Sequence, residues 1–100
     1  MTTDNNDNND KIETRQDSLI EYPSQFPIKV MGENVDGFVH AVTAIAKQFD
    51  PGFDATTVEL RDSKTGKYLG VTVTVTATSR EQLDNLYRAL STHPMVKVVL

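Results

Sequence analysis

The groups able to do chemistry in this chain are few and scattered. The densest run is Lys64-Thr65-Gly66-Lys67, where two ammonium groups flank a loop whose amides can face an anion. A solvated hairpin tip uses the same residues with no ligand, and that is their commoner use. His40 and His93 are the only imidazoles, and neither has a second ligand four residues away, so no metal-binding spacing is present. Glu59 and Asp62 are close in sequence but point to different surroundings in an extended segment, which does not make a paired acid and base. The absence of cysteine removes disulfides, thiol catalysis and cysteine-based zinc or iron–sulfur centres. No phosphate-cradling loop, dinucleotide fingerprint or nucleophile elbow occurs. The expectation is a non-enzymatic chain with no catalytic residue, no metal and no cofactor.

Its 100 residues allow one domain with a modest core. The net charge of −4 is uneven. From Met1 to Asp17, five acids face two bases, giving −3 and leaving −1 for everything after. A nearly neutral domain does not attract phosphate backbones through its bulk field, so nucleic acid is a disfavoured partner. Residues 2–9 are only Thr, Asn and Asp, which supply nothing to bury, so residues 1–18 read as a disordered acidic tail. The chain start has no basic region followed by an apolar run, and no apolar stretch approaches the ~20 residues that span a bilayer. The cytoplasm is the expected location, without a membrane.

Order is expected over residues 19–100. Phe26, Ile28 and Val30 alternate with Pro27, Lys29 and Met31, a strand that Gly32 ends. Asn34 is a good helix cap, and Val35, Phe38, Val39, Val42, Ile45, Ala46 and Phe49 follow at helical spacing, predicting a helix from Val35 to Phe49. Asp50-Pro51-Gly52 stops it. Thr56 to Arg61 alternates as a second strand, residues 62–67 carry turn chemistry, and Tyr68 to Ala77 alternates again. Ser79 and Gln82 form a capping box ahead of the helical stripe Leu83, Leu86, Tyr87 and Leu90. Met95 to Leu100 reads as a last strand, with Val96, Val98 and Leu100 inward.

The order β-α-β-β-α-β predicts an α+β, ferredoxin-like fold. Right-handed crossovers put both helices on one face of a four-stranded antiparallel sheet of order 4-1-3-2. The other face then carries Lys29, Met31, Thr57, Glu59, Arg61, Thr72, Thr74, Thr76, Lys97 and Val99. An RNA-binding sheet of this topology stacks bases on aromatic residues of its central strands, and here only Tyr68 is aromatic. Nucleic-acid binding through Lys29, Arg61, Lys64, Lys67 and Lys97 is the alternative that remains. Met31 and Val99 are apolar on a face otherwise built for water, and the last strand leaves a strand-prone edge. Both features point to a cover: a second protomer, another protein or the chain's own N-terminal segment.

The segment Tyr22-Pro23-Ser24-Gln25-Phe26 followed by Lys29-Val30-Met31-Gly32 resembles the YbeD-like family of small uncharacterised bacterial proteins. Gly66-Lys67-Tyr68, the strand Val71 to Val75 and the ending Val96-Lys97-Val98-Val99-Leu100 extend the likeness over about residues 19–100. The resemblance implies an ACT-like ferredoxin fold and no established activity. It picks out Pro23, Lys29, Met31, Gly32, Ser63, Gly66 and Tyr68. Two departures stand out. The hairpin reads Ser63-Lys64-Thr65-Gly66 where the family is tighter, and Gly70 stands where serine is expected. The functional expectation is a regulatory or adaptor module. It would take a small-molecule effector, a second copy or an unidentified protein partner. Its surface would be Lys29, Met31, Gly32, Ser63, Gly66, Tyr68, Thr72 and Thr74.

Overall fold

The computed structural model describes residues 20–100, so the acidic segment 1–18, expected to be disordered, lies outside the described residues. The elements are β1 (Ser24–Glu33), α1 (Phe38–Phe49), β2 (Glu59–Asp62), β3 (Tyr68–Ala77), α2 (Arg80–Ser91) and β4 (Val96–Val99). The sheet order is β2-β3-β1-β4, all antiparallel, as the element pattern predicts. β1 and β3 form the spine, paired from Ser24 opposite Ala77 to Glu33 opposite Tyr68.

Alternation along the two central strands decides the core. Ile28, Val30, Leu69, Val71, Val73, Val75 and Ala77 are buried, and they meet Phe38, Val42 and Ala46 of α1 and Leu83, Leu86 and Leu90 of α2. Each large side chain so buried contributes roughly 1.5–3 kcal/mol. Gln82 joins three elements. Its backbone N–H donates to Ser79 Oγ (3.0 Å), and its Nε2 donates to the carbonyls of Phe49 (2.9 Å) and Thr76 (3.1 Å). The reciprocal half of the cap falls on Thr78, whose N–H donates to Gln82 Oε1 at 2.6 Å.

Several expectations are corrected. α1 starts at Phe38, not Val35, and its cap is Gly37, which has φ +88°. Asn34 does not cap the helix because its Nδ2 donates to the Gly66 carbonyl at 3.0 Å. Val35 is left 48% exposed outside the helical stripe. Gly32 does not end β1 but lies within it. β2 is shorter than expected, since Ala55–Thr57 is a 3-10 turn capped by the Asp54 carboxylate, so Thr57 is not in the sheet.

The largest correction concerns β4. Val30 opposes Val99, Met31 opposes Val98, but Gly32 opposes Val96, which leaves Lys97 as an extra residue. Such a bulge reverses the alternation beyond it. Val96 and Val99 therefore both pack toward the core, while Val98, expected inward, is 45% exposed opposite Met31. Leu100, also expected inward, is 66% exposed, and its N–H donates to the Lys29 carbonyl at 2.8 Å.

Candidate functional site

Residues directly opposed in an antiparallel pair share a face. The register therefore lays the open face out in rows. One row is Arg61, Gly70, Met31 and Val98. The next is Glu59, Thr72 and Lys29. On the other side, Tyr68 opposes Glu33.

These rows, together with the start of the hairpin, enclose a groove of about 680 Å³ lined by Lys29, Met31, Glu59, Leu60, Arg61, Asp62, Ser63, Lys64, Tyr68, Gly70 and Thr72. Its volume lies in the usual range of roughly 300–1,000 Å³ for small-molecule sites. Five of the expected surface residues meet here: Lys29, Met31, Ser63, Tyr68 and Thr72. The other three do not line it. Thr74 is on the open face, one row further along and opposite Pro27. Gly66 sits at the hairpin with φ +77°, a left-handed conformation that favours glycine. Gly32 is buried on the helix side, where an added Cβ would collide with the Met95 carbonyl and stand 2.6 and 2.7 Å from Phe38 ring carbons.

The hairpin is held firmly beside the groove. The Ser63 carbonyl accepts from Gly66 N–H (2.9 Å), Ser63 N–H donates to the Tyr68 carbonyl (2.9 Å), and Ser63 Oγ accepts from Tyr68 N–H (3.0 Å). Asn34 braces it from the opposite side, donating from its backbone to the Lys67 carbonyl at 2.9 Å and from Nδ2 to Asp62 Oδ1 at 3.4 Å. Lys67 Nζ stands 5.5 Å from the Tyr68 ring centroid, a cation–π distance.

The groove mixes charge with apolar surface. Lys29, Arg61 and Lys64 supply three cations, from β1, β2 and the hairpin, and none of them forms an ion pair among the described residues. Glu59 supplies one carboxylate on the open face, while Asp62 borders the groove but opposes the buried Leu69 and turns its carboxylate to Asn34 on the helix side. Lys97, by contrast, is engaged by Glu33 at 3.7 Å. Among the described residues no three of His, Asp and Glu converge as a metal site would require. No helix among them is long and apolar enough to cross a membrane.

Glu59, Leu60 and Asp62 were not foreseen as site residues. β2 alone gives no hint of a groove until β3 and β1 are placed beside it. Gly70 had a signal, a glycine inside a strand of alternating Val and Thr, where a close approach by another molecule is one usual reason. His93 accepts from Met95 N–H at 3.1 Å through Nδ1, a local role in the turn before β4.

A family model described as a protein of unknown function (DUF493) matches residues 17–100. A UPF0250 protein of Leptothrix cholodnii is 66% identical over 86 residues, covering 86% of this chain and 94% of its own. A UPF0250 protein of Bordetella pertussis is 64% identical over 85 residues, covering 85% and 93% respectively. The solution structure of protein HP0495 from H. pylori superposes with a TM-score of 0.68 at 17% identity, covering 82% of this chain and 86% of that one, a likeness of fold alone.

Proposed function

The chain belongs to the UPF0250 (DUF493) family of proteins of unknown function, which includes the YbeD-like proteins, and from that premise we propose that it is a non-enzymatic regulatory or adaptor module of the cytoplasm. It binds a small effector or a protein partner through the open face of its sheet. The observation that carries this reading is the groove beside β2, where Lys29, Met31, Tyr68 and Thr72 converge on a face that neither helix covers. A bound second copy fits the same reading, since Met31 and Val98 lie side by side at the β4 end of that face. Fold analogy with ACT-like effector domains supports it only as analogy.

An amide-shift titration of the labelled full chain tests this. It is run first at several protein concentrations, then with pooled metabolites and with cell extract. Saturable shifts at Lys29, Met31, Tyr68 and Thr72 are expected from at least one source. A groove and a β4 edge silent under every condition would overturn the assignment.

A further inference from the structure

We propose that the groove takes a small amphipathic organic anion, a carboxylate or phosphate head on a short apolar body. This rests on the reading of the groove as a binding surface and names its ligand class.

The row Arg61, Gly70, Met31, Val98 carries the argument. It runs across all four strands from a guanidinium, past a glycine with no side chain, to a thioether and a branched aliphatic side chain. Gly70, itself buried, puts no side chain in the middle of that row. Among the described residues only Gly37 and Gly66 have positive φ, so the backbone does not require glycine at 70. Packing does not require it either. Among the described residues the one atom an added Cβ would meet within 4 Å is the Arg61 carbonyl oxygen, at an ordinary 3.6 Å. A glycine that weakens a central strand without a local need, at the floor of a groove, is explained by what a side chain there would fill.

Charge fixes the polarity of the ligand. Three cations line the groove against one carboxylate on the same face, Glu59, since Asp62 opposes Leu69 and accepts from Asn34 on the helix side. Arg61 and Lys64 stand at the β2 side, with Arg61 offering the planar donor fork that suits a carboxylate or phosphate. With its head there, the body of the ligand lies over Gly70 toward Met31, flanked by Tyr68 and Thr72 on β3.

The test uses labelled full chain at low salt, titrated with hexanoate and hexyl phosphate. Hexylamine, hexanol and inorganic phosphate serve as controls. The amides of Arg61, Gly70, Met31 and Thr72 are expected to shift saturably with both anionic probes and not with hexylamine. Arg61→Ala is expected to weaken hexanoate binding about tenfold, the equivalent of one lost charge-assisted contact. Gly70→Val is expected to abolish saturation without lowering the melting temperature, and Arg61→Ala decides the matter should that variant misfold. Equal groove shifts from hexylamine or hexanol would overturn the anionic class while leaving the groove a binding surface. Inorganic phosphate binding as tightly as hexyl phosphate would overturn the apolar body. Silence of the groove toward all probes and toward pooled metabolites would overturn both readings.

Discussion

The side-chain nitrogen of Asn34 lies 3.0 Å from the carbonyl oxygen of Gly66, thirty-two residues further along the chain. That contact fastens the tip of the β2–β3 hairpin to the connection between β1 and α1. It also explains why the helix is left to begin on a glycine.

Asn34→Ala removes two side-chain hydrogen bonds at an exposed site and leaves the backbone bond to Lys67 in place. The expected cost is about 1 kcal/mol, lowering the melting temperature by roughly 4–8 °C. Hydrogen exchange at Gly66 and Lys67 should quicken more than exchange in β1. An unchanged melting temperature would show the brace to be idle.

Gly32→Ala forces a methyl group against Phe38 and the Met95 carbonyl. Phe38 is fully buried and the other obstacle is backbone, so neither can swing aside. Urea unfolding should show a loss of roughly 1–3 kcal/mol, the usual range for overpacking. A cost near zero would mean that β4 can retreat from β1.

The Thr56 hydroxyl and N–H beside the Asp54 carboxylate hold its pKa below the ordinary 3.8. A depressed carboxylate stabilises the fold above pH 3.8, and that contribution fades as the pH falls through its folded value. Asp54→Asn should therefore narrow the stability difference between neutral and strongly acidic solution. An identical acid limb in the variant and the parent would contradict this.

Burial raises the Tyr87 phenol above its ordinary 10.0. The fold then favours the neutral ring, a preference fully present below pH 10.0 and lost as the pH climbs through the raised value. Replacing it by phenylalanine should flatten the alkaline limb of the stability profile, with little change at pH 7. Thermal melts between pH 8 and about 11 would read this out.

Topology was legible because hydrophobic period and turn chemistry agree in each central element. Ile28 and Val30 alternate, Leu69 to Ala77 alternates, and Ser79 caps α2 as its type suggests. Three local features were not legible, each for its own reason. Asn34 suits a helix cap equally well, and only the folded hairpin offers it the Gly66 carbonyl instead. Thr56 and Thr57 have strand-forming side chains, yet Asp54 draws the backbone into a tight turn. Val96 to Leu100 gives no sign of the extra residue at Lys97, because a bulge is set by the partner strand and not by composition. The consequence reaches the candidate site. Val98 and not Val99 stands beside Met31, so the apolar end of the open face was read in the right strand but one residue out of place. Cations were foreseen at Lys29, Arg61 and Lys64, whereas their enclosure with Glu59, Asp62 and Gly70 depends on register across three strands.

β3 is ten residues long, but β2 pairs with it only from Leu69 to Thr72. Beyond that point the Thr76 N–H donates to the Asp50 carboxylate at 2.9 Å, while the other oxygen of Asp50 accepts from Gly52 N–H at 3.2 Å. A single acidic side chain at the end of α1 thus occupies a donor that a neighbouring molecule would otherwise use to extend the sheet. The Thr76 carbonyl is taken as well, by Gln82 Nε2 at 3.1 Å, so both backbone groups of that residue are withheld from a strand that would add to the uncharged, β-branched run Val73 to Ala77. Protection against edge-on aggregation is thus shared between one carboxylate at the end of α1 and one carboxamide in the first turn of α2.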